Sequence, residues 1–191
     1  MGDLKLAKLM TAYCNGDTNA FTELYQSIAP AVLGYLVKMC GEKSLAEDLL
    51  QQTFLKVHKA RSTYISNANP TPWIYSIAHR TFIDAMRKKK RAKVAISRDG
   101  ELADVKADIL GRNEENQHAG PDPEQLQKAM EALSTLPEKQ RQAVVLVKLQ
   151  GKSLQEAANI CGITVGAMKV RAHRGYNSLR KTLVLEAAKI D

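Results

Sequence analysis

GKSLQEAANICGITVGAMKVRAHR, residues 151–174, divides into two short helical segments around a turn. Ser153 stands where a helix N-cap is wanted, and Glu156 three positions on completes a capping box. Leu154, Ala157 and Ala158 give this segment an apolar side. Cys161-Gly162-Ile163-Thr164 interrupts it: Gly162 tolerates the backbone of a tight turn, and Thr164 can cap the next helix. From Val165 the apolar positions run Val165, Met168, Ala172, Tyr176, Leu179 and Leu183, a helical spacing that turns them to a core. On the same wheel Ala167, Val170, Arg171 and Arg174 point away, with Lys169 and His173 on the flanks. This pattern predicts a helix-turn-helix whose second helix enters a DNA groove. An ordinary helical hairpin with a solvated basic face shares it, so the rest of the chain must decide.

The 191 residues leave room for one large domain or two small ones, and the net charge is +8. Such a charge suits a polyanionic partner, though it governs association rather than fold. Its distribution says more. Residues 1–84 hold 8 basic and 7 acidic side chains, near balance. Residues 85–98 hold 7 basic and no acidic ones, residues 99–124 hold 8 acids against Lys106 and Arg112, and residues 125–191 return to 11 basic against 5 acidic. Two basic zones therefore flank an acidic one. Cys14, Cys40 and Cys161 lie far apart and form no CxxC pair, which predicts reduced thiols in a cytosolic protein. No N-terminal run has the flanks of a signal peptide, and no apolar stretch nears the ~20 residues of a membrane span. A cytoplasmic protein that is not membrane-inserted is expected.

Residues 3–14 place Leu6, Leu9, Met10 and Tyr13 on one side of a first helix, ended by Asn15-Gly16. Asp17 caps a second, with Ala20, Phe21, Leu24, Tyr25 and Ile28 at helical spacing. Pro30 suits the first turn of a third, residues 30–40, closed by Gly41. Ser44 opens a fourth with Glu47 completing another capping box, and Leu45, Leu49, Leu50, Phe54 and Val57 form its buried side. Glu47, Asp48, Gln51 and Gln52 cluster near its start. They read either as a solvated face with acids well placed at a helix N-terminus or as a docking surface for a basic partner.

Residues 61–72, RSTYISNANPTP, are a loop, with Thr71 capping and Pro72 opening the next helix. On that helix Ile74, Ile77, Ala78 and Ala85 face inward with Thr81 between them, and Arg87, Lys88, Lys89, Lys90, Arg91 and Lys93 crowd its end. Cations suit a helix C-terminus, but six so close repel one another, and a phosphate-tracking patch accounts for the excess. Tyr64, Trp73, Tyr75 and Phe82 interleave with Arg61, Arg80 and this lysine run. Single-stranded nucleic acid asks for that mixture: bases stack on rings for ~1–3 kcal/mol each while cations follow the backbone. Aromatics at helical spacing are also ordinary core residues. Phe82 fits that alternative best; Tyr64, in a polar loop with Asn67 and Asn69, fits it least.

Residues 97–123 are acidic, show no sustained period and end in Pro-Asp-Pro. They read as a passive tether, or as acids that imitate phosphate and lie over basic surfaces. Helices resume over residues 123–134 and 137–149, with Leu136-Pro137 between them and Gln150-Gly151 after. No strand pattern appears. The expectation is an all-α chain of two small helical domains, residues 1–94 and 123–191, joined by a flexible acidic linker over 95–122. There is no Gly-rich phosphate loop, HExxH or nucleophile motif. His58, His79, His118 and His173 do not cluster at metal-ligand spacing. No catalytic residue, metal, cofactor or small-molecule substrate is therefore expected.

The whole combination resembles the sigma factors of bacterial RNA polymerase, and at this length their extracytoplasmic-function group, which keeps only the two DNA-binding regions. Gly16-Asp17 with Ala20-Phe21, Leu24 and Tyr25 is similar to that family's opening pattern. Glu47-Asp48, Gln51 and Phe54 resemble its core-binding helix, and Trp73, Ile77-Ala78, Asp84 and Arg87 its promoter-melting helix. Leu136-Pro137, Arg141, Gly151, Ser153, Glu156, Ala158, Gly162, Gly166, Lys169, Arg171 and Arg174 resemble its second DNA-binding region. The likeness covers nearly all of the chain except the linker.

It implies a promoter-specificity subunit, active only on core polymerase. Glu47, Asp48, Gln51 and Gln52 would dock on the clamp coiled coil of the largest subunit. Arg61, Tyr64, Asn67, Asn69, Trp73, Tyr75, Arg80, Arg87 and Lys88 would capture unpaired bases of the −10 element. Lys169, Val170, Arg171, His173 and Arg174 would read the −35 duplex. The flap of the second subunit and an anti-sigma factor covering both domains are further implied partners, and the linker would thread towards the active-site and RNA-exit channels. The sequence departs from the family at Arg80, where Asn is frequent, and at Ala167, Met168 and Val170, where Thr, Val and Ser are usual. Val170 can meet a thymine methyl but cannot hydrogen-bond a base edge. Arg171 or Arg174 can pair with guanine or hold only phosphate. A free-standing helix-turn-helix regulator is the other reading; it leaves Tyr64, Trp73 and the Glu47 surface without a role.

Overall fold

Among residues 2–98 and 123–187, which this computed structural model describes, every regular element is helical. The first helix, α1 (Gly2–Cys14), leads to Gly16, whose φ of 105° only glycine adopts without strain. Asp17 caps α2 (Thr18–Cys40) as expected, its carboxylate accepting from the N–H groups of Asn19 and Ala20 at 2.9 and 3.2 Å. The expected break at Pro30 does not occur: α2 runs straight through it. Proline inside a helix costs ~3 kcal/mol. Ile28, Val32, Tyr35 and Leu36 around it are buried. At ~1.5–3 kcal/mol for each large side chain, their burial outweighs that penalty.

The helix α3 (Lys43–Ala60) also corrects the sequence reading, because Ser44 and Glu47 form no capping box. Glu42 occupies the N-cap position, Ser44 Oγ donates to its carboxylate at 2.9 Å, and Glu47 pairs with Lys43 at 3.8 Å. Ser44 already lies inside the first turn. After a 3₁₀ turn (Arg61–Thr63) and the loop 64–69, α4 (Pro70–Arg98) starts two residues before its expected start. Asn69 does the capping that Thr71 was expected to do, its Oδ1 accepting from the Thr71 N–H at 2.9 Å. Both Pro70 and Pro72 then sit in the first turn, where a missing N–H breaks no ladder bond. Residues 95–98, expected as linker, continue α4; residues 99–122 lie outside the described residues.

The C-terminal half contains α5 (Pro123–Thr135), α6 (Glu138–Val144), a wide π-type turn (Val145–Leu149), α7 (Leu154–Cys161) and α8 (Val165–Ala187). A uniform helix over 137–149 was expected. Instead the Gln150 N–H closes on the Val145 carbonyl at 2.9 Å, one residue wider than an α-turn. Val144, Val145 and Leu146 are all buried there, because α8 packs on one side and α2 reaches the other. Gly175 sets the closeness of α8: a Cβ there would lie 2.6 Å from Val144 Cγ2 and 3.2 Å from the Gln140 carbonyl oxygen. The two halves also pack on each other. Helix α4 lies against α7, and one apolar cluster runs from Val32, Tyr35 and Leu36 through to Leu146 and Ala158.

Candidate nucleic-acid interface

The loop between α3 and α4 is irregular but held. Its one positive-φ residue, Asn67 at 63°, donates its N–H to Thr11 Oγ1 at 3.0 Å. The Tyr64 phenol donates to the Ala68 carbonyl, and its half-buried ring packs on Trp73 with centroids 5.7 Å apart. Tyr64 is thus better packed than its polar surroundings indicated. Arg61 donates through Nη1 to the His58 carbonyl at 2.8 Å and to His58 Nε2 at 3.3 Å. A guanidinium only donates, so Nε2 accepts. The neutral ring then carries its proton on Nδ1 and gives it to the Tyr13 hydroxyl. Asn67 is exposed, Asn69 is half-buried as the cap of α4, and Ile65 at the tip is 76 % exposed. Sequence reasoning passed over Ile65; a large β-branched side chain in an otherwise polar loop was its signal.

Beyond the loop, Arg80, Arg87 and Lys88 are exposed on α4, continued by exposed Lys89, Lys90 and Arg91. Asp84 among them is paired with Lys56 at 3.6 Å. Trp73 is half-buried and packs on the Tyr64 ring.

Tyr75 does not join this surface. It is 1 % exposed, its phenol donates to Gln150 Oε1 at 2.8 Å, and Lys152 Nζ sits 4.8 Å from its ring centroid. In this arrangement no base can reach it, because Tyr35 on α2 and Gln150 and Lys152, in the segment before α7, cover it. Burial pushes its phenol up to about 12. Phe82 is fully buried, as its core alternative required. Beside Tyr75, His79 meets the Tyr35 hydroxyl at 3.1 Å. Burial, and then Arg171 and Arg80, push the His79 imidazole down to about 4, so it is neutral near pH 7. A cavity of about 330 Å³ opens there between the halves, lined by His79, Arg87 and Lys90 on α4 and by Glu138, Cys161 and Arg171. Burial raises the Cys161 thiol to about 11 and the Cys40 thiol to about 12, which keeps both protonated and unreactive.

The helix-turn-helix takes the expected form. Ser153 and Glu156 complete their capping box, with N–H bonds of 2.9 and 3.2 Å, and Gly162 turns at φ 65°. Thr164 Oγ1 accepts from the Ala167 N–H at 3.2 Å and starts α8. Met168 and Ala172 are buried; Lys169, Val170, His173 and Arg174 are exposed. Three positions differ from the helical wheel; one is Ala167, expected outside but half-buried. Val165, expected inside, is 36 % exposed. Arg171, expected outside, is half-buried at the inter-half cavity. It lies three residues after Met168 and four before Gly175, and so shares their stripe.

On α3, Glu47, Asp48, Gln51 and Gln52 are exposed as expected. Leu55, 61 % exposed, extends the stripe at helical spacing from Asp48, Gln51 and Gln52. Sequence reasoning passed over it, although its spacing from Asp48, Gln51 and Gln52 was the signal. Among the described residues, no group of three His, Cys, Asp or Glu side chains could hold a metal ion, and no helix is long and apolar enough to cross a membrane.

Comparison with known proteins places both halves. The family described as Sigma-70 region 2 matches residues 24–92, and that described as Sigma-70, region 4 matches residues 126–179. The chain is 35 % identical to the RNA polymerase sigma factor CarQ of Myxococcus xanthus over 174 residues, covering 91 % of this chain and 95 % of that one. It is 34 % identical to the ECF RNA polymerase sigma factor SigF of Caulobacter vibrioides over 182 residues, 95 % of each chain. Among solved structures, the sigma factor RpoE from Bartonella quintana, crystallised with the anti-sigma factor NepR, superposes with a TM-score of 0.71 at 28 % identity. That match covers 85 % of this chain and 96 % of the other.

Proposed function

The chain belongs to the extracytoplasmic-function group of the sigma-70 family of bacterial RNA polymerase sigma factors, and from that premise we propose how its surfaces divide the work. It directs core polymerase to specific promoters in the cytoplasm and carries no catalysis of its own. The exposed stripe of Glu47, Asp48, Gln51, Gln52 and Leu55 docks on the clamp coiled coil of the largest subunit, and region 4 meets the flap of the second. The loop with Arg61, Tyr64, Asn67 and Asn69, together with Trp73, Arg80, Arg87 and Lys88, captures unpaired bases of the −10 element. Lys169, Val170, His173 and Arg174 read the −35 duplex, Val170 through a thymine methyl and Arg174 through guanine or phosphate. The segment 99–122 passes through polymerase along a path that RNA later takes, which suits its acids. An anti-sigma factor holds the protein inactive until a signal releases it; the RpoE relative was crystallised with such a partner.

The observation that carries this reading is the pairing of two unlike surfaces on one chain: an irregular polar loop beside a basic helix, and a capped helix-turn-helix with exposed cations. The −10 and −35 elements lie roughly 80 Å apart along a duplex that rises ~3.4 Å per base pair. Two readers locked together through Tyr75 and Gln150 cannot span that distance, so the contact between the halves opens on the polymerase. The test adds purified protein to core polymerase and transcribes a promoter library. Initiation from a discrete set of promoters, absent with core alone, is expected. No promoter-dependent initiation, together with tight duplex binding by the isolated protein, would instead mark a free-standing regulator.

A further inference from the structure

Helix α1 precedes the region 2 match at residues 24–92 and has no role in that division of work. Its last turn nevertheless touches the single-strand loop repeatedly. The Thr11 hydroxyl accepts from the Asn67 N–H at 3.0 Å. Tyr13 meets His58, which accepts from Arg61, and Cys14 Sγ donates to the Arg61 carbonyl at 3.3 Å. Met10 and Tyr13 share an apolar cluster against which Tyr64 and Trp73 pack. Asn67 is the single non-glycine residue with positive φ among the described residues, at 63°. Asparagine tolerates that conformation better than most residues, but it does not adopt it by default. An irregular loop discriminates bases only when its groups are fixed to about half an ångström, which requires support from outside the loop.

We propose that Thr11, backed by Tyr13 and Cys14, is a positioning residue for −10 recognition: its hydroxyl holds the Asn67 backbone in the left-handed conformation and so aims Asn67 and Ile65 at the captured base. The inference rests on the loop being the −10 reader. The test uses the full chain with core polymerase on promoters that differ only at −10 bases, and reads the ratio of transcription between preferred and substituted bases. Thr11→Val keeps the shape and removes the hydroxyl. It should lower that ratio about fivefold, the factor that one net hydrogen bond commands. Thr11→Ser should restore it. Melting temperature should fall by about 2–4 °C in Thr11→Val and not in Thr11→Ser, and −35 duplex binding should stay unchanged in both. In the free protein, amide exchange at Asn67 should quicken by a similar factor in Thr11→Val and not in Thr11→Ser. Unchanged discrimination in Thr11→Val would overturn the proposal, as would an equal loss in −10 and −35 binding. Asn67→Ala separates the two levels. If it alone loses discrimination, only the Thr11 role fails; if neither variant does, the loop is not the reader and both readings fall.

Discussion

The loop 64–69 and the exposed face of α8 are both proposed to read DNA, yet they are held by opposite means. Helix α8 positions Lys169, Val170, His173 and Arg174 with its own hydrogen-bond ladder, anchored by Met168, Ala172 and Gly175 on the buried side. The loop has no such ladder. Thr11, Tyr13 and Cys14 hold it from a helix that ends far upstream in sequence. A duplex groove has a regular shape, and a regular element can match it. Unpaired bases are splayed and need groups presented at irregular angles. The single-strand reader therefore depends on tertiary ties, and the duplex reader mainly on packing.

The sharpest way to break the comparison is to disturb the packing under α8. Gly175→Val places methyl groups where even a Cβ would stand 2.6 Å from Val144. It should destabilise the C-terminal half by about 3 kcal/mol, the upper end of overpacking costs, measured by denaturant unfolding. Loop-dependent −10 discrimination by the protein that remains folded should persist. A neutral effect would show that α8 is free to shift away from α6.

Acidification probes the contact that joins the two surfaces. His79 is held near 4 against its ordinary 6.5, facing Tyr35, Arg80, Arg171 and Cys161. Above pH 6.5 the ring is neutral both folded and unfolded, and its contribution to stability is fully present. Below that, the unfolded chain takes up a proton that folded His79 refuses until about pH 4. Stability should thus fall as pH drops from 6.5, by roughly 2 kcal/mol at pH 5. His79→Gln should flatten that part of the curve. An identical slope in the variant would place the pH dependence elsewhere.

A smaller effect is expected on α3. Replacing Asp48 and Gln51 by Ala should weaken core polymerase binding by about 1 kcal/mol, roughly fivefold, with no change in melting temperature. Unaltered affinity would remove these residues from the docking surface.

Legibility in the sequence divides along the same line. The helix-turn-helix can be read residue by residue because its caps and turn are local: Ser153 with Glu156, Gly162, Thr164. Thr11 with Asn67, Tyr13 with His58 and Tyr75 with Gln150 are tertiary pairs separated by 56, 45 and 75 positions, and no periodicity announces them. By sequence Tyr75 groups with the base-stacking rings because its neighbours Trp73 and Arg80 suit that task, whereas Tyr35, Gln150 and Lys152 decide its burial. Pro30 reads as a helix start by a local rule that burial overrides. Arg171 shows a different limit: the wheel turns it outward, but α4 and α7 meet beside it and leave it half-buried at the cavity between the halves.

The most direct measurement binds the holoenzyme to two separate probes, a single-stranded non-template −10 oligonucleotide and a −35 duplex. Two variants are compared crosswise, Arg80→Ala with Arg87→Ala in one and Arg174→Ala in the other. None of the three arginines is buried, so the fold should be preserved. A division of labour between the loop-bearing half and the helix-turn-helix predicts roughly tenfold weaker binding of the −10 probe alone in the first variant and of the −35 probe alone in the second. Equal losses on both probes in either variant would contradict it.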